Sequence, residues 1–208
     1  HKGPVAQDPR RRFGTGAIKP ARRKVTIDEL IAIGNRFHKE GELREAETIF
    51  RKVLEAIPNH PVALQFLGVI AHQTENFDAA ISLINRAIES APDYHQAYNN
   101  LGNAYEAKGD PQMALEVYQK ALDLDPDYYD AIFNMGIAQR QLRQFEEAAE
   151  TFQRYIEFDP RCADAHYELG FAHQRLGDRV KATSLKDLSK GGISGGGTNK
   201  SALSGGSY

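Results

Sequence analysis

Cysteine is almost absent from these 208 residues, Cys162 being the only one. A lone thiol cannot close an intramolecular disulfide, and zinc sites built on paired cysteines are excluded with it. No run approaches the roughly 18 consecutive apolar residues that a membrane-spanning helix needs, which excludes a helical span. The first residues are polar and basic, without the apolar stretch of a signal peptide. The chain starts at His1 rather than Met, so it reads as a processed or excised product. A cytoplasmic location is expected, with export after signal removal left open. What remains is ordinary for a soluble folded chain: 41% hydrophobic and 26% charged residues. A mass of 23.1 kDa supplies enough chain for one domain or one elongated array.

The net charge of −2 conceals an asymmetry. Residues 1–26 carry eight Lys or Arg (Lys2, Arg10, Arg11, Arg12, Lys19, Arg22, Arg23, Lys24) against Asp8, a net of +7. The tail 183–208 carries +2, which leaves −11 on the middle. A basic arm is therefore joined to an acidic body.

That body is periodic. Proline recurs at 58, 92, 126 and 160, and glycine at 34, 68, 102, 136 and 170. Alanine recurs at 46, 80, 114, 148 and 182, so three residue types share a period of 34. The stretch around Tyr98, Leu101, Gly102, Tyr105, Ala114, Tyr118, Ala121 and Pro126 resembles the tetratricopeptide repeat. The resemblance implies an all-α fold, a right-handed superhelical α-α solenoid of helix-turn-helix repeats. Repeats are expected at 27–60, 61–94, 95–128 and 129–162, with a degenerate, capping fifth at 163–189. A basic arm (1–26) and a Gly/Ser-rich tail (190–208) flank them.

Each repeat should form two amphipathic helices, A and B, which one repeat cannot bury alone. Gly at the eighth and Ala at the twentieth position remove bulk where A and B cross. Leu30, Leu64, Tyr98 and Ile132, with Ile33, Leu67, Leu101, Met135 and Leu169, should form the core stripe. Thr26 with Glu29 reads as a capping box, and Asp110-Pro111 as a helix start. Gly41, Gly109 and Gly177 suit left-handed helix ends, whereas Glu75 and Arg143 replace that glycine at about 1 kcal/mol each. Tyr155 replaces a small residue, so the junction between repeats four and five is expected to be altered. In the fifth repeat, His166 and His173 read as half-buried end-cap residues.

No catalytic constellation is visible, and the chain is read as no enzyme. The glycines form no phosphate loop. Cys162 is placed in an inter-repeat turn with no helix or base around it. His38, His72 and Glu106 share one position in successive repeats, but at about 8–10 Å per step they are too far apart to share a metal. No metal and no cofactor is expected.

Family resemblance places partner binding on the concave face of the A helices. Carried onto this chain, it offers Asn35, Asn99, Asn100, Asn103 and Asn134 among Phe66, Val69, Phe133, Tyr167 and Phe171. Asparagine amides both donate and accept, so they can read a peptide main chain. These asparagines resemble the ladder in O-linked N-acetylglucosamine transferases, broken here by Ala32 and Phe66. A carboxylate clamp needs Lys and Arg where the fifth repeat has Asp164 and Glu168.

The expected function is a non-enzymatic scaffold that binds a protein or peptide segment in this groove. One alternative is the substrate-recruiting arm of a larger glycosyltransferase-like enzyme. Another is a homo-oligomer or filament subunit held through its terminal arms, with Val5, Phe13, Ile18, Val25, Ile193 and Leu203 as apolar anchors. Nucleic acid is disfavoured as a partner, because Phe13 is the only aromatic in the basic arm and the attached body is acidic.

Overall fold

Thr26 opens the first helix as the spacing predicts. Its hydroxyl accepts from the Glu29 N–H, and the Glu29 carboxylate accepts from the Thr26 N–H at 2.9 Å. The computed structural model describes residues 25–191. In chain order the helices are α1 (Ile27–Glu40), α2 (Leu43–Ala56), α3 (Pro61–Gln73), α4 (Phe77–Ser90) and α5 (His95–Ala107). They continue as α6 (Pro111–Leu124), α7 (Tyr129–Gln141), α8 (Phe145–Phe158), α9 (Ala163–Arg175) and α10 (Arg179–Gly191). No strand occurs among the described residues. The odd-numbered A helices begin 34 residues apart, and each helix packs on its neighbours in sequence. This is an α-α solenoid.

The turns between A and B helices all pass through a left-handed residue. Gly41, Gly109 and Gly177 have φ of 83°, 87° and 85°, and Glu75 and Arg143 hold the same region at 60° and 61°. Side chains with a Cβ pay for that conformation, so α3 and α7 end under mild strain. On the far side of one such turn, Asp110 accepts from the Met113 N–H at 3.1 Å, and Pro111 starts α6.

The core lies between A and B helices. Ala46, Ala80, Ala114 and Ala148 are fully buried, and so are Phe50, Ile84, Tyr118 and Phe152, four residues further along the same helices. These larger side chains fill the space above the periodic glycines. A Cβ on Gly68 would lie 2.5 Å from Ile84 Cγ1, and one on Gly102 would enter the Tyr118 ring. Of the expected core stripe, Leu64, Leu67, Leu101, Ile132 and Leu169 are buried, while Leu30, Ile33, Tyr98 and Met135 are half-buried.

The N-terminal end differs chemically. Ala63, Ala97, Ala131 and Ala165 are fully buried against a preceding B helix, where α1 carries Glu29. Ile70, Ala104, Ala138 and Ala172 are buried at the position where α1 carries exposed Arg36. Val25 is 56% exposed at this end. The other proposed anchors, Val5, Phe13, Ile18, Ile193 and Leu203, lie outside the described residues.

Two expectations are corrected at the junction of α8 and α9. Tyr155 does not open it: its ring turns onto Phe133 (5.2 Å) and Phe158 (6.4 Å), leaving Ala165, Leu169 and Ala172 packed with Phe152 and Ile156. Cys162 lies in the inter-repeat turn as expected, but with a helix at hand: it is the N-cap residue of α9, against Tyr155. Burial pushes the Tyr155 phenol up to about 12, with the neighbouring Cys162 and acidic groups adding to it. His166 is 8% exposed, its Nε2 at 2.8 Å from the Pro160 carbonyl, and His173 is half-buried.

Candidate partner-binding groove

Consecutive A helices touch one another as well as their B helices. Helices lie about 8–10 Å apart, so side chains at the seam between two A helices reach across it. His38 Nε2 lies 3.2 Å from Gln73 Oε1, joining α1 to α3. Gln141 Nε2 donates to Glu106 Oε1 at 2.6 Å, joining α5 to α7 at the same pair of repeat positions. Arg140 pairs with Glu168 at 2.9 Å, joining α7 to α9.

The asparagines form a relay at the centre. Asn134 Nδ2 donates to Asn99 Oδ1 at 3.1 Å and to Asn103 Oδ1 at 3.0 Å. The Tyr118 hydroxyl, reaching through from α6, lies 2.7 Å from Asn103 Oδ1 and 3.2 Å from Glu106 Oε2. This satisfies the carbonyl side of two amides and leaves their NH2 groups over. Asn99 Nδ2, Asn103 Nδ2, both polar atoms of Asn100, Asn35 Oδ1, Gln139 Oε1 and His72 Nδ1 are buried without a hydrogen-bond partner. An unpaired buried amide costs about 1–3 kcal/mol, so these groups favour any ligand that pairs with them.

Beside the relay lies a pocket of about 420 Å³, lined by His72, Asn103, Glu106, Ala107, Asn134, Ile137 and Gln141. Burial raises the Glu106 carboxyl above its ordinary value, while the hydrogen bonds from Tyr118 and Gln141 and the charge of Arg140 pull the other way. Burial lowers His72 and His38, which favours their neutral forms near pH 7. Burial, reinforced by the Glu106 charge, raises the Tyr118 phenol well above its ordinary value. Glu168 is raised by burial despite Arg140. Among the described residues, no three His, Cys, Asp or Glu side chains are grouped to hold a metal ion.

The sequence-derived groove residues divide into two sets. Asn103, Asn134 and Asn35 meet the seam, Asn134 and Asn35 half-exposed, and Tyr167 is 52% exposed. Phe171 is half-buried under the Arg140 guanidinium at 5.7 Å, and Phe133 meets Phe152 edge-on at 5.6 Å. Phe66, Val69, Asn99 and Asn100 instead pack inward, at 3%, 2%, 0% and 1% exposure. Phe66 stacks on Phe50 at 4.8 Å. Their repeat positions fall beneath the seam rather than on the open face, because adjacent A helices close over them. Sequence reasoning missed Gln141 and the reach of Tyr118. The signal was a glutamine at the same place in repeats two and four (Gln73, Gln141), each facing a polar residue 35 positions earlier.

The tetratricopeptide repeat family matches at 37–104, 95–128 and 117–150, and its TPR repeat description at 140–177. No curated protein matches the sequence. Among solved structures, MamA is similar at a TM-score of 0.69 and 24% identity, over 76% of this chain and 93% of that one. YrrB, described as a TPR protein with an unusual peptide-binding site, gives 0.68 and 23%, over 82% and 88%. PilF of Pseudomonas aeruginosa gives 0.74 and 22%, over 83% and 78%. At such identities the likeness is one of fold.

Proposed function

The chain belongs to the tetratricopeptide repeat family, and from that premise we propose that it is a non-enzymatic scaffold holding an extended peptide along its A helices. The observation that carries this reading is the unpaired amide NH2 of Asn103 in a pocket that Asn134 also lines. A peptide backbone supplies carbonyl acceptors and N–H donors at regular spacing, and amides pair with both. Apolar wall residues such as Ile137 would bury the peptide's own side chains. Five A helices advancing about 9 Å each give a face roughly 36 Å long. An extended peptide at about 3.3 Å per residue fills that length with roughly 11 residues.

Panning a 12-residue displayed peptide library against the full chain supplies ligands for the test. Asn134→Ala with Asn103→Ala should weaken a selected peptide by roughly 2- to 12-fold for each hydrogen bond lost. A selected peptide indifferent to both substitutions would move the site to the convex face or to the ends of the array.

A further inference from the structure

The pocket between α3, α5 and α7 contains a carboxylate that forms no ion pair among the described residues. Glu106 is hydrogen-bonded by two neutral groups, Tyr118 and Gln141. Among the described residues it forms no ion pair, and Arg140, the cation whose charge it feels, is held by Glu168 at 2.9 Å. His72 lines the same pocket, its Nδ1 buried and unpaired while its ring is hydrogen-bonded to the Asn103 backbone. Asn103, 7% exposed, lines the same pocket with its Nδ2 unpaired. A carboxylate beside a free amide donor is the complement of an extended segment that brings a cationic side chain next to a backbone carbonyl.

The chain has such a segment of its own. Arg10, Arg11 and Arg12 belong to the +7 arm, which meets the array just before Ile27, the start of α1. The 13 residues from Arg12 to Val25 can extend up to about 43 Å. The pocket on α3, α5 and α7 lies within one to three A-helix spacings of α1, about 9–27 Å. Tethering also holds the arm at an effective concentration on the order of millimolar. We propose that the Arg10–Arg12 segment of the chain's own arm occupies this pocket, one guanidinium pairing with Glu106 and a backbone carbonyl accepting from Asn103, so that an external partner must displace it. The proposal rests on the groove reading above.

The probe is a fluorescein-labelled synthetic peptide of residues 1–24, titrated by anisotropy into two full-length chains. One is the natural chain; the other carries Arg10→Ser, Arg11→Ser and Arg12→Ser, which removes the internal competitor. The substituted chain should bind the peptide at least about ten-fold tighter than the natural one. Adding Glu106→Gln, close in shape, should weaken that binding by roughly ten-fold. The same loss is expected when the peptide itself carries Gln at positions 10–12, a change that leaves the folding of the receptor untouched. Equal affinity for the two chains, or indifference to Glu106→Gln, overturns the proposal. Asn134→Ala separates the two levels. If it weakens the peptide while Glu106→Gln does not, the groove reading stands and the Glu106 assignment falls; if neither matters, both fall. A natural chain whose resistance to the peptide disappears on dilution would place a second copy's arm in the pocket, and would overturn the assignment to its own.

Discussion

Helices α3 and α5 hold the same place in successive repeats and spend it differently. At equivalent positions α3 carries Gln65, Phe66 and Val69, and α5 carries Asn99, Asn100 and Asn103, all six buried. In α3 the burial is productive: Phe66 stacks on Phe50, and Gln65 accepts from the Tyr94 hydroxyl. In α5 four amide atoms of those asparagines are left unpaired. One helix spends its buried positions on packing, and the next leaves amide atoms unpaired at and beneath the seam, where the proposed groove runs. The difference shows that repeats sharing one backbone can bury apolar or polar side chains at the same positions.

The comparison breaks most sharply at Phe66. Phe66→Ala removes a stacked, fully packed ring and should cost about 3–5 kcal/mol in urea unfolding. Asn100→Leu in α5 should move the other way, stabilising by about 1–3 kcal/mol, because it replaces two unpaired polar atoms by apolar ones of similar bulk. A destabilised Asn100→Leu would mean those atoms have partners and that α5 spends nothing. Gly102→Leu tests the packing beneath α5: overpacking against Tyr118 should lower stability by about 1–3 kcal/mol.

Smaller effects sharpen the contrast between turns. Glu75→Gly and Arg143→Gly should each stabilise by up to about 1 kcal/mol, since both residues hold a left-handed φ that glycine adopts without strain. The converse change, Gly109→Glu, should destabilise by a similar amount. The smallest effect is one of pH. The Glu106 carboxyl is raised in the folded chain, so its stabilising contribution is present below the ordinary carboxylate value of 4.5 and lost as pH rises through the raised one. Relative to the natural chain, Glu106→Gln should therefore gain stability as pH rises above 4.5, measured by melting temperature in a pH series. A difference that stays flat with pH would show that the carboxyl is not raised.

The periodic small residues carried nearly all that was legible. Gly102 and Ala114 can recur at fixed spacing only if two helices cross closely there, and the Tyr118 ring fills the space above Gly102. Glu75 and Arg143 showed their strain by standing where Gly41, Gly109 and Gly177 stand. The site was less legible. Repeat position tells which way a residue points on an isolated A helix but not how far the next A helix closes over it. That is why Phe66 and Asn100 were expected on the open face and lie beneath the seam. Tyr155 shows the same limit, because its ring found room against Phe133 and Phe158 that one-dimensional spacing cannot display.

The central claim is that the amides between α5 and α7 read a ligand's main chain, and their side-chain NH2 resonances report on it directly. In a 15N-labelled full-length chain titrated with a library-selected 12-residue peptide, the NH2 signals of Asn103 and Asn134 should shift in step with the binding curve. The Gln65 NH2, in the packed repeat, should stay still. A saturating peptide that leaves both asparagine signals in place while shifting others would contradict the account.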